Sequence, residues 1–153
     1  MAKATTARFG TIVVQVETAV AGTFISICGV TKREFNMEKN LNDFEVPDCS
    51  DPEAPAWVER VVKSISSGIS LSGLVAKESL PTLMDLFQIN ASREMRIRLI
   101  GFGTGAGTPD LQASGKYHFK TLKLQSDTDG LAEVTLSLES DGAIVVASVA
   151  ALP

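Results

Sequence analysis

The sequence predicts a mainly β protein, an antiparallel β-sandwich or barrel with one flanking α-helix. The strongest observation is the run 131–139. Ala132, Val134, Leu136 and Leu138 fall on one side, and Glu133, Thr135, Ser137 and Glu139 on the other. That period of two marks a half-buried strand, because successive side chains point to opposite faces. Asp129-Gly130 and Asp141-Gly142 bracket the run, and such pairs tolerate the positive φ of tight hairpins. A second observation supplies the helix. Leu80, Leu83, Met84 and Phe87 recur at helical spacing, which makes one apolar stripe able to close a side of a β core. Ser79 is placed to cap its start, Pro81 sits in the first turn where a missing N–H costs nothing, and Asn90 ends it.

The remaining elements follow in chain order. Residues 11–17 (TIVVQVE) and 24–30 (FISICGV) read as strands. Residues 35–46 mix Phe35, Met37, Leu41, Phe44 and Val46 with polar positions, a weak pattern that is extended only in part. Between Val46 and Trp57 stand Pro47, Pro52 and Pro55 with Asp48, Asp51 and Glu53. The prolines exclude a central strand and break a helix, and the acids solvate the segment. This is a long excursion from the domain, spanning about residues 44–57, with the chain's single tryptophan at its end; long loops in compact domains tend to be functional. Residues 58–62 read either as a turn of helix or as continued strand. Serines alternate with Ile69 and Leu71 in 65–73, a strand. In 94–100, Met95, Ile97 and Leu99 oppose Glu94, Arg96 and Arg98. A glycine-rich loop, 101–107, leads to a strand at 117–125, whose apolar phase slips between Phe119 and Leu122, the mark of a bulge. Residues 144–149 are a Val-rich final strand. This makes seven or eight strands, one helix and no internal repeat, in a single domain spanning 1–153.

Composition narrows the function. At 153 residues and 44% hydrophobic content the chain can bury a core without staples. No apolar run approaches the ~20 residues that cross a bilayer, and 12–16 is too short for a signal peptide, so no membrane binding and a cytoplasmic setting are expected. A net charge of −4 argues against a grip on nucleic acid. It is compatible with nucleic acid sliding past an acidic surface. If Arg96 and Arg98 shared such a surface they would hinder sliding; they are therefore expected to be paired with acids or to point away. Cys28 and Cys49 read as reduced, small, half-buried hydrophobes.

No constellation supports catalysis or a cofactor. Gly101-Phe102-Gly103-Thr104-Gly105-Ala106 fits a dinucleotide-loop spacing, but a strand rather than a helix follows, so no helix N-terminus can meet a pyrophosphate. His118 is the only histidine, lies inside a strand, and has no marked nucleophile beside it. With Cys28 and Cys49 it lacks the paired short spacing of a zinc site. Glu45, Asp48, Asp51 and Glu53 miss the regular calcium loop. Asn90-Ala91-Ser92 fits a glycosylation sequon without a secretion signal. Trp57 has two readings: a core residue, the common case, or an anchor for a protein–protein contact.

Taken together, several segments resemble a known family: 22–31 (GTFISICGVT), 46–53 (VPDCSDPE) with Trp57, 69–73 (ISLSG) and 136–142 (LSLESDG). Their order, from about Gly10 to Ala147, is similar to that of the tail tube (major tail) proteins of long-tailed bacteriophages and phage-like gene transfer agents. The resemblance implies a β-sandwich flanked by a helix. It implies hexameric rings whose inner strands close into a barrel, stacked into a hollow tube around a tape-measure protein, with double-stranded DNA as a passenger. Tail terminator and tail-tip proteins are the implied partners. The implied location is the virion tail, assembled in the bacterial host cytoplasm, with no enzymatic activity and no cofactor. A loop reaching the neighbouring ring is also implied, and here Phe44, Val46, Pro47, Asp48, Asp51, Pro52, Glu53, Pro55 and Trp57 are its candidate contact residues. Two other classes compete. A carbohydrate-binding β-sandwich module is disfavoured by an aromatic content of 6%, and a small β-scaffold enzyme by the absence of clustered acids, bases or ligands.

Overall fold

The computed structural model describes residues 12–27, 30–74, 78–103, 109–126 and 132–150. Its elements are β1 (Ile12–Glu17), β2 (Phe24–Ser26), β3 (Val30–Val46), β4 (Trp57–Leu74), α1 (Leu80–Gln88), β5 (Arg93–Leu99), β6 (Asp110–Ser126), β7 (Ala132–Ser140) and β8 (Val145–Val149). The strands all pair antiparallel in one sheet ordered β2-β1-β5-β6-β7-β4-β3, with β8 also on β6.

The long β6 joins two halves of this sheet. Residues 111–117 pair with β5, and residues 117–126 pair with β7. Tyr117 has Arg93 on one side and Ser140 on the other, so β5 and β7 hold opposite edges of β6. β8 continues the β7 edge after a turn whose Gly142 has φ 95. Only glycine adopts that backbone without strain. The bulge predicted near Phe119 is present, as a register shift between Phe119 and Thr121.

Buried side chains from both halves form one cluster. Val14 and Val16 of β1 and Met95 and Ile97 of β5 join Ile69 and Leu71 of β4 and Val134, Leu136 and Leu138 of β7. The sheet therefore folds over on itself, and the helix closes the remaining side through Leu83 and Leu86. Burying each such side chain is worth about 1.5–3 kcal/mol. Inside, the Ser67 and Tyr117 hydroxyls meet at 2.6 Å, linking β4 to β6. Burial pushes the Tyr117 phenol above its ordinary pKa of 10.0, with the Ser67 hydrogen bond opposing.

Several boundaries differ from the sequence expectation. The predicted strand 24–30 is divided: β2 stops at Ser26 and β3 starts at Val30, while Cys28 lies outside the described residues. β6 begins at Asp110, seven residues ahead of the expected start, because Gly115 and the polar residues around it obscure alternation. In α1, Leu86 is buried in place of Met84 and Phe87. Ser79 precedes the helix without a side-chain cap bond. The turn at Asp129-Gly130 and the loop 104–108 lie outside the described residues.

Candidate functional site: a projecting arm and open sheet edges

Strands β3 and β4 pair continuously from Val30↔Gly73 to Val46↔Trp57, yet β7 supports β4 only from Gly68 to Leu74. Beyond Gly68 the two strands form an unsupported ribbon. From Met37 to Val46 it extends ~30 Å at the usual rise per residue. What reads weakly in the sequence as partial extension, and ambiguously at 58–62, is thus one continuous hairpin arm. Period-two burial is absent there because the arm has no buried face in the single chain.

The tip is residues 47–56, ordered by short local bonds. The Ser50 amide donates to Asp48 Oδ1 at 2.8 Å, the Glu53 amide to Asp51 Oδ1 at 3.3 Å, and the Ala54 amide to the Asp51 carbonyl at 3.1 Å. These Asx-type turns explain why aspartates alternate with prolines here. Of the candidate contact residues, Pro47, Asp48, Asp51, Pro52, Glu53 and Pro55 occupy this tip. Phe44, Val46 and Trp57 stand on the strands that carry it. Trp57 is 78% exposed, which excludes the core reading of that residue.

Exposed apolar residues line both faces of the arm. Directly paired residues share a face. Leu41 with Val62, and Val58 opposite Glu45, extend the face that carries the core in the body; Met37 and Ile65 begin it. Val61, opposite Asn42, shares the other face with Phe44, Val46 and Trp57. Sequence reasoning missed Met37, Leu41, Val58, Val61, Val62 and Ile65 as candidates. Their dense apolar spacing was the available signal. Where the arm leaves the body, a groove of about 450 Å³ lies between Met37, Ile65, Ala143 and Ile144. Monomeric proteins seldom leave contiguous apolar patches of this kind uncovered.

Two backbone edges are also open. Among the described residues, the outer edge of β3 carries no strand, and β6 beyond Tyr117 carries none on the side that β5 holds earlier. Between these edges lie the four strands β3-β4-β7-β6. Their outward face is polar, with serines and threonines between charged side chains. Lys32, Ser72, Thr135 and Lys123 form one row across it, and Glu34, Ser70, Ser137 and Thr121 the next.

The other singled-out residues are engaged structurally. Arg98 reaches Asp110 at 3.8 Å and donates to Gln112 Oε1 at 3.0 Å. Asp110, fully buried, also accepts from the Gly101 amide at 2.9 Å. Arg98 is thus paired with an acid as expected, whereas Arg96 stacks on the Phe24 ring at 3.6 Å to its centroid. His118 contacts Asp141 at 3.3 Å on the surface, and Cys49 is exposed at the arm's tip rather than half-buried. Among the described residues no group of His, Cys, Asp or Glu is gathered as metal ligands.

A β-body with unpaired edges and an apolar, outstretched arm defines a subunit shaped for joining other subunits. The chain belongs to the phage tail tube protein family, whose model matches residues 6–146, and its role is structural, as part of a tube. Solved structures share its fold. The tail of an empty gene transfer agent particle, refined with C6 symmetry, superposes with a TM-score of 0.74 at 17% identity, covering 91% of this chain and 98% of that one. The SPP1 tail tube gives 0.69 at 9% identity, over 95% and 81%. The tube terminating cap of the anti-feeding prophage gives 0.58 at 14% identity, over 97% and 95%. No curated protein sequence matches the chain.

Proposed function

We propose that six copies, the symmetry of the gene transfer agent tail whose fold it shares, close into a ring, and that rings stack into a hollow tube conducting double-stranded DNA from capsid to host. The observation that carries this reading is the pair of open edges flanking four antiparallel strands. Because four is even, β3 and β6 run in opposite directions. The β3 edge of one copy can then pair antiparallel with the β6 edge of the next, and the sheet continues around the ring. Closure removes edges that otherwise invite aggregation.

The outward face of those strands is then the channel lining. Its serines and threonines are short and offer a passing duplex little to grip. Glu34, Glu133 and Glu139 offset Lys32, Lys120 and Lys123, so phosphates meet no unbroken cationic surface. Arg96 and Arg98 lie on β5, outside this lining. The arm, with Phe44 to Trp57 at its end, projects past the band and reaches the adjacent ring. Nothing in this role requires a reaction, and we assign none. A tape-measure protein fills the tube before DNA. Terminator and tip proteins cap its ends, a reading supported by the fold shared with a tube terminating cap. Assembly takes place in the host cytoplasm and ends in the virion tail.

Negative-stain electron microscopy of the concentrated full chain, beside light scattering, tests this. Hollow tubes or rings of uniform diameter are expected. Smooth sheets, amorphous aggregate or a sugar-binding monomer would overturn the reading.

A further inference from the structure

One amide orients the four-strand wall. The Ser67 amide donates to Ser140 Oγ on β7 at 2.9 Å. The core-facing residues of β4 (Ser67, Ile69 and Leu71) therefore turn their N–H and C=O groups toward β7. In a strand of L-residues running upward, a residue whose side chain faces the viewer points those groups to the right. Seen from the core side with β4 running upward, β7 and β6 thus lie to its right and β3 to its left. By the same rule the core-facing residues nearest the open edges, Phe35 and Met37 of β3 and Leu122 and Leu124 of β6, aim their backbone groups outward across those edges.

With the polar face lining the channel, the core side is the outside of the barrel. Barrel strands lean to the right seen from outside, typically by about 35–45°. A hydrogen-bonded row followed rightward from β6 therefore descends, and it meets the next copy's β3, which runs downward, at higher residue numbers. Four strand spacings of ~4.8 Å and a rise of ~3.3 Å per residue make an offset of four residues a lean of about 35°, and six about 46°. Without an offset, Lys123 would oppose Lys32, two like charges in one row. An offset of four places Lys123 opposite Asn36. An offset of six places it opposite Glu38, and at the same time sets Met37 opposite Leu124, which are 49% and 44% exposed in the single chain. Among the described residues neither Glu38 nor Lys123 has an ion-pair partner.

Resting on the ring reading above, we infer that the β3 edge of one copy joins the β6 edge of the next at the offset of six, with Glu38 against Lys123 on the channel side and Met37 against Leu124 on the core side. Met37 and Leu124 then form a hydrogen-bonded pair, because both aim their backbone groups across the seam. Glu38 and Lys123 form a non-hydrogen-bonded pair, where side chains stand closest, with Cα atoms ~4.5 Å apart. The seam neutralises a lysine that faces the channel and covers two exposed apolar side chains.

Cysteine pairs read the offset, in the full chain carrying Cys28→Ser and Cys49→Ser. Asn36→Cys with Gln125→Cys should join neighbouring copies by disulfides when assembled rings are oxidised, giving covalent species up to the closed ring. Asn36→Cys with Lys123→Cys reads an offset of four, and Lys32→Cys with Lys123→Cys reads none. Crosslinking by either of these in place of the first pair overturns the offset while the ring reading stands. Rings visible by electron microscopy in which no pair crosslinks overturn the β3–β6 seam itself. Charge exchange gives the second readout. Glu38→Lys and Lys123→Glu should each raise the concentration needed for assembly by ~5-fold, the scale of one cross-strand ion pair, and the double exchange should restore it. Both sites are exposed in the single chain, so the melting of the dilute monomer should not move. Additive losses in the double exchange overturn the pairing. If the wild-type chain forms neither rings nor tubes, and no pair crosslinks, both readings fail together.

Discussion

The near and far halves of β3 and β4 are the same two strands under opposite demands. Near the body β4 alternates: Ile69 and Leu71 face the core, opposed by Phe35 and by Arg33, whose guanidinium donates to the Ile12 carbonyl at 2.7 Å, while Glu34, Ser70 and Ser72 face outward. Past Gly68 the alternation dissolves, and apolar residues occupy both faces although hydrogen-bonded pairing continues to Trp57. The backbone is continuous and only the surroundings differ. The body buries its apolar face within its own chain. The arm has no such partner, and a two-stranded ribbon is marginal by itself in water. Its apolar surface makes physical sense once other subunits supply the cover.

Substitutions in the two regions should therefore separate folding from assembly. The largest contrast is expected from deleting residues 48–54, which shortens the tip while leaving the body intact. The monomer's thermal transition should stay in place and tubes should be absent; tubes of normal length from this variant would remove the arm from ring stacking. Leu136→Ala, at a side chain with no exposed surface, reverses the pattern. It should cost about 2–5 kcal/mol of folding stability in urea titration through lost burial and a cavity. Trp57→Ala comes next. It should alter monomer stability by less than about 0.5 kcal/mol, as exposed sites do. It should weaken assembly by about 2 kcal/mol or more, the scale of an interface anchor, read as a raised critical concentration by light scattering.

Smaller effects sharpen the account of the body. Tyr117→Phe leaves the buried Ser67 hydroxyl without its partner and should cost about 1–3 kcal/mol. The same tyrosine sets an alkaline limit. Its folded pKa is raised above 10.0, so the unfolded chain loses the phenolic proton first as pH rises. The tyrosine's contribution is fully present below about pH 10 and is lost as pH climbs through the folded value. Denaturant midpoints measured from pH 8 to 11 should fall less steeply in Tyr117→Phe. Lys120→Ala should do least. Its 2.6 Å contact with Glu139 is more than half exposed on both sides, a setting where ion pairs contribute about 0.2–1 kcal/mol. A larger loss would point to a role beyond the body's own surface.

Read by itself, the sequence determined what local chemistry decides. The β7 alternation through Val134, Leu136 and Leu138, the helix around Leu83, the bulge after Phe119 and the turn at Gly142 all follow from side-chain period or backbone freedom within a few residues. Tertiary structure alone decided which apolar residues are inside. Met84 and Phe87 share the helical stripe with Leu83, yet Leu86 takes the buried place, beside a pocket it shares with Val16, Ile25 and Ile27, and periodicity along the helix does not encode which residues lie there. The strand beginning at Asp110 was hidden because its neighbours on β5 and β8, distant in the chain, make it a strand. The arm was hidden for a related reason. Period-two patterning records a single buried face, and a ribbon covered on neither face by its own chain, but apolar on both, leaves no such record for local reading to find.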